Sequence, residues 1–136
     1  MKKKLLFVLI LTTLILSACG QNGASNTINV EITDFAFTPN HFSIPAGEQI
    51  TLHATHNGLV EHDFVIMKLG TDVGGHFDEE DLVNVYWQVK IQPGESPTIT
   101  FTVPSEPGTY QIVCAMAGHV EAGMVGSLEI TAQVNE

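Results

Sequence analysis

From Ile28 onward the chain alternates apolar and polar residues with a period of two, the spacing that gives a strand one buried and one wet face. Ile28, Val30 and Ile32 alternate with Asn29, Glu31 and Thr33. Ile50, Leu52 and Ala54 repeat the pattern, and Ile99, Phe101 and Val103 alternate with threonines. Tyr110 with Ile112 and the series Leu128, Ile130, Ala132 and Val134 continue it, with shorter runs at His41–Ile44 and Val89–Ile91. The segment from His62 to Leu69 differs. Phe64 and Ile66 lie on one face, Val65 and Met67 on the other, so this strand is predicted to be buried on both sides. Turn signals separate the runs: Phe37-Thr38-Pro39-Asn40, Pro45-Ala46-Gly47, Pro93-Gly94 and Pro107-Gly108. Residues 70–81 break the pattern with glycines and the acidic group Asp78-Glu79-Glu80-Asp81. Asp78 is placed to cap a short helix reaching Val85, although Asn84, Tyr86 and Trp87 favour it poorly. There is no internal repeat. About seven or eight short strands spaced by such turns predict an all-β, Greek-key β-sandwich over residues 28–136.

The first residues follow a different rule. Lys2, Lys3 and Lys4 precede an apolar stretch, Leu5–Leu16, that is too short for a spanning helix of about 20 residues. Residues 1–18 therefore read as a secretory signal, with a retained signal anchor as the alternative. Its end, Leu16-Ser17-Ala18-Cys19, resembles the lipobox of bacterial lipoproteins. That resemblance implies cleavage before Cys19 and acylation of that residue. Residues 19–27, small and polar through GQNGASN, then form a flexible tether.

Export changes the charge and the meaning of the cysteines. Removing residues 1–18 from the 136 leaves 118, enough for one domain. Lys68 and Lys90 then face 15 acidic residues, a net charge of −13. Nucleic acid is excluded as a partner by its phosphates. A basic protein partner fits, as does the plainer reading that acidity keeps a tethered domain soluble. With Cys19 lipidated, Cys114 is a lone thiol in an oxidising compartment, and it is buried, paired between molecules, or bound to a metal.

The neighbours of Cys114 favour the metal. Tyr110–Val113 is a strand that ends at the thiol, and the loop after it brings His119 and Met124 at intervals of five. Thiolate, imidazole and thioether together suit copper better than magnesium or calcium. An ion that cycles between Cu(I) and Cu(II) requires a thiolate and imidazoles in one plane with a weak axial donor. The fourth donor must come from elsewhere, and His62, at the start of its strand after a glycine-containing turn, is the natural choice. His56, six residues upstream, is its rival but precedes the turn. Singly, each residue has a more ordinary reading: an inert buried cysteine, a core methionine, a satisfied histidine. His41, His53 and His76 lack comparable support, Met67 reads as core and Met116 as loop filler.

With these residues in view, the chain resembles the cupredoxins of the plastocyanin, azurin and auracyanin group over roughly residues 28–134. The motif is a histidine opening one strand and a late Cys-x4-His-x4-Met loop before the last. The resemblance implies a cupredoxin-like sandwich holding one copper ion through His62, Cys114, His119 and an axial Met124. It departs in two places. Ala117 stands where many relatives have proline, which leaves the loop less restricted. Asp63 stands where many have asparagine, beside the thiolate sulfur, where a negative charge favours Cu(II).

The function implied is type 1 copper electron transfer outside the cytoplasm by a lipid-anchored, monomeric carrier. His119 is expected to emerge through an apolar patch of Leu59, Val60, Met116, Ala117 and Val120. The acidic residues 78–81 are expected to steer a basic redox partner such as a c-type cytochrome or a membrane redox complex. The alternative is a protein that buffers or delivers copper. An enzymatic role is not expected, because the chain has one domain, no histidine beside Cys114 and no second loop cysteine.

Overall fold

A computed structural model of the chain describes residues 25–133, so the signal segment, Cys19 and most of the tether lie outside the described residues. The described part folds into two sheets. Strands β1 (Thr27–Thr33), β2 (Ala36–Thr38), β4 (Gln49–His56) and β7 (Thr98–Thr102) form one, in the order β2-β1-β4-β7. Strands β3 (His41–Pro45), β5 (His62–Met67), β6 (Val85–Ile91), β8 (Gly108–Val113) and β9 (Val125–Thr131) form the other, in the order β3-β9-β8-β5-β6. β1 runs parallel to β4 and β3 parallel to β9, while the remaining pairs are antiparallel.

The period-two pattern maps onto this sandwich directly. Ile28, Val30 and Ile32 of β1, Ile50, Leu52 and Ala54 of β4, and Leu128 and Ile130 of β9 all face the core. Phe64 of β5 packs edge-on against Phe37 of β2 at a centroid distance of 5.3 Å and so joins the two sheets, with Phe42 of its own sheet beside it at 6.3 Å. β5 is buried on both faces, as its unbroken apolar run predicts. Its outer face is covered by loop residues rather than by a third sheet: Val65 and Met67, with Val113 of the neighbouring β8, pack under Val73 and Val120, with Phe77 against them.

Three local expectations differ. Nine strands form among the described residues rather than seven or eight, because Ala36–Thr38, overlapping the stretch Phe37–Asn40 read as a turn, pairs with β1 for three residues. The predicted helix is a two-turn 3₁₀ helix, Glu79–Asn84, held at its start by Asp78 and Asp81 in a reciprocal capping box. It ends where Val85, Tyr86 and Trp87 are taken into β6, and Trp87 stacks on Phe101 at 3.9 Å. Strand β9 stops at Thr131, short of the apolar series that continues to Val134 in the sequence.

Register decides where the strand ends meet. β5 and β8 are antiparallel, with Val65 opposite Val113, so the start of β5 lies beside the end of β8. β8 and β9 pair Val113 with Val125, which brings the start of β9 to the same end of the sandwich. β1 and β4 also finish there, with Ile32 opposite His56. Phe64→Ala, which empties the junction between the sheets, should cost about 3–5 kcal/mol in a urea melt of the metal-free protein.

Candidate metal centre

His62 is the first residue of β5, and Cys114 follows the last residue of β8 directly. The loop between Cys114 and β9 is a series of turns closed by its own backbone. His119 N–H donates to Met116 O, Met124 N–H to His119 O, and Cys114 N–H to Met124 O. Gly118 and Gly123, with φ of +84° and +92°, take the left-handed positions that the turns require. The loop without proline is thus ordered by hydrogen bonds that close on Cys114, His119 and Met124 themselves.

These elements bring three donor atoms to one point. His62 Nδ1 and His119 Nδ1 are 3.1 Å apart, Cys114 Sγ lies 3.2 Å from His119 Nδ1, and 3.8 Å from His62 Nδ1. All three residues are buried. Nitrogen and sulfur donors bound at about 2.0–2.3 Å to one ion, with angles of 100–120° between them, sit about 3.1–3.8 Å from each other. The spacing fits a single small ion, and the soft, mixed donor set fits copper. Met124 is fully buried and tied through its backbone to both Cys114 and His119.

The far nitrogen of His62 meets a residue that the sequence reading missed. His62 Nε2 is 2.7 Å from Asp34 Oδ1, and Leu59 N–H donates to the other carboxylate oxygen at 2.8 Å. The Leu59 N–H and the His62 ring together hold the Asp34 carboxyl below its ordinary range. Asp34 lies in the turn between β1 and β2, where an aspartate is unremarkable, so its spacing carried no signal.

His119 does not emerge from the fold as expected. It is only 9% exposed, and the edge-on ring of Phe35 covers it at 4.7 Å. Phe35, Leu59 and Val60 are the exposed apolar residues of this end, with Ala117 exposed beside them. Val120, expected in the patch, instead packs into the cluster over β5, and Met116 is half-buried against the main core. The correction has a simple cause: Phe35 belongs to a turn remote in sequence, while the side chain after His119 points inward. Burial, together with the neighbouring His62, holds His119 below the usual histidine range and keeps its imidazole neutral.

Cys114 Sγ accepts the backbone N–H of Asp63 at 3.3 Å, and the Met116 N–H also points to it. The tie between the two strands is therefore made by backbone, and aspartate in place of asparagine leaves it intact. Burial raises the Cys114 thiol above its ordinary value. Burial likewise raises the half-buried Asp63 carboxyl, which sits opposite Lys90 on β6. Lys90 itself pairs with Glu61 at 2.8 Å.

The other histidines are accounted for. The His56 ring lies tilted against that of His62 at 4.9 Å, but its Nδ1 accepts Gly58 N–H and its Nε2 bonds to Val60 O, so both nitrogens are occupied. His41, His53 and His76 are exposed beside Ser127, Thr98 and Asp78. Met67 is core. Among the described residues, His62, Cys114 and His119 are the group of side chains placed to hold a metal ion.

Comparison with known proteins agrees with this arrangement. The family model for a cupredoxin-like domain matches residues 6–125. Auracyanin-B of Chloroflexus aurantiacus is 30% identical over 140 residues, covering 84% of this chain and 59% of its own length. Plastocyanin of Mercurialis perennis is 35% identical over 102 residues, covering 71% of this chain and 89% of its own. The structure of reduced auracyanin from Roseiflexus castenholzii superposes with a TM-score of 0.68 at 32% identity, over 80% of this chain and 99% of that one. No helix among the described residues is long and apolar enough to cross a membrane.

The protonation states generate a prediction. At neutral pH the raised Cys114 carries its proton and the lowered His119 does not. Cu(II) binding should therefore release about one proton per ion. Calorimetric titration in buffers of different ionisation enthalpy measures it, and Cys114→Ser should abolish it.

Proposed function

This chain belongs to the cupredoxin-like family, whose members bind a single copper ion, and from that premise we propose that it is a type 1 copper protein transferring single electrons outside the cytoplasm. In this reading His62 and His119 bind the ion through Nδ1, Cys114 binds as thiolate, and Met124 is the axial donor. The copper supplies the one-electron store. The observation that carries the reading is the convergence of two imidazole nitrogens and one sulfur, all buried, at 3.1–3.8 Å.

The protein's own contribution is to hold those donors still and dry. Each hangs from a strand end or from a turn closed by backbone bonds, so a change of charge on the ion moves little around it. The exposed apolar residues Phe35, Leu59, Val60 and Ala117 offer a surface for brief docking over His119. The 3₁₀ helix Glu79–Asn84 borders this end: Asp78, Glu79 and Leu82 line a shallow cleft of about 230 Å³ with Ala115 and Ala117. Its carboxylates favour a basic partner such as a c-type cytochrome. Lipid on Cys19 would hold the domain, as a monomer, beside membrane redox complexes, and residues 20–27 would give it reach. We read it as a carrier and not a catalyst.

Visible absorption and EPR of the full chain with one equivalent of Cu(II) test the reading. Intense absorption of red light with narrow copper hyperfine splitting, bleached by ascorbate, is expected. A pale solution with wide splitting would mean that Cys114 is not a ligand, and would favour copper buffering or delivery. The steering role predicts that Glu79→Gln/Glu80→Gln slows reduction by a basic cytochrome several-fold at low salt and flattens its salt dependence, with no change in the visible spectrum.

A further inference from the structure

The two histidines of the site are not equivalent. The far nitrogen of His62 bonds to a carboxylate, whereas among the described residues no such partner meets the far nitrogen of His119, whose ring packs against Phe35. Resting on the copper-site reading above, we propose that Asp34 is a positioning residue that fixes His62 as an Nδ1 donor and, through its charge, favours the oxidised form of the site.

An ionised carboxylate has no proton to give, so at 2.7 Å the hydrogen must lie on His62 Nε2 and point to Asp34 Oδ1. That leaves the Nδ1 lone pair directed at His119 and Cys114, where the other donors converge. A charged acceptor on the second nitrogen also makes the imidazole a stronger donor. Cu(II) carries one more positive charge than Cu(I), so the same carboxylate stabilises the oxidised site more than the reduced one.

The surroundings of Asp34 are shaped to hold it. Leu59 N–H donates to Oδ2 at 2.8 Å, and Val60 N–H approaches Oδ1 at 3.5 Å. Gly58 makes room: a Cβ at that position would overlap Asp34 Oδ1 and crowd His56 Cε1 at 3.1 Å. The glycine is not demanded by its own backbone, since its φ is not positive. The loop after β4 therefore closes around the carboxylate, with the side chain of Asp34 still 23% exposed.

The test compares the copper-loaded full chain with Asp34→Asn and Gly58→Ala by optical redox titration. Asparagine keeps an acceptor oxygen and removes the charge; alanine at 58 displaces the carboxylate without touching it. At the poise where the wild type is half reduced, Asp34→Asn should show a Cu(I)/Cu(II) ratio about tenfold higher, which is about 59 mV for one electron, with its red absorption retained. Gly58→Ala should move the ratio in the same direction. A ratio within twofold of wild type for Asp34→Asn overturns the proposal. If that variant fails to fold or load, ¹⁵N NMR of the metal-free wild type decides: protonated Nε2 and bare Nδ1 on His62 are expected, and a proton on Nδ1 overturns it. A wild type without red absorption would sink the copper-site reading, and the NMR result would still judge the role of Asp34.

Discussion

Two imidazole nitrogens and a sulfur, held 3.1–3.8 Å apart with almost no access to water, set the terms for this end of the molecule. Burial permits such a cluster only if its members are neutral when empty. Cys114 is accordingly pushed toward the thiol and His119 toward the neutral ring. The lone pair of His62 faces a second nitrogen at hydrogen-bond distance, so that a shared proton or a metal ion must lie between them. A metal resolves this best, because it engages all three donors at once.

Holding donors that closely requires a frame that does not yield. The registers of β5 with β8 and of β8 with β9 place one strand start, one strand end and another strand start side by side. Phe64 and its aromatic neighbours lock the sheets immediately below. The loop from Cys114 to Met124 adds backbone bonds that begin and end on the donor residues, so the loop cannot shift without moving them together. This rigidity suits an electron carrier, in which little should rearrange as the ion changes charge.

The turn between β1 and β2 completes the site from the other sheet. Its two adjacent residues do different work: Asp34 engages the buried ring of His62, and Phe35 covers His119. One imidazole is thereby anchored to the fold and the other separated from solvent by a single aromatic ring. The apolar surface over His119 is consequently built from Phe35, Leu59 and Val60, with Val120 drawn inward to cover β5.

The sequence by itself determined the fold class, the double burial of β5 and the residues that converge on the centre, because these depend on local period and on donor chemistry at short spacing. Ile28-Val30-Ile32 reads as a one-faced strand whatever surrounds it, and Cys114, His119 and Met124 share one loop. It could not resolve Ala36–Thr38 as a strand, since three residues gain that state only by pairing with β1. Nor could it separate His56 from His62 by chemistry, as both are buried histidines; only the bonds of His56 to Gly58 and Val60 remove it as a donor. Asp34 and Phe35 were invisible for the same reason. They lie 28 and 84 residues from the histidines they touch, and contacts of that range are fixed by sheet order and register, which no local pattern encodes.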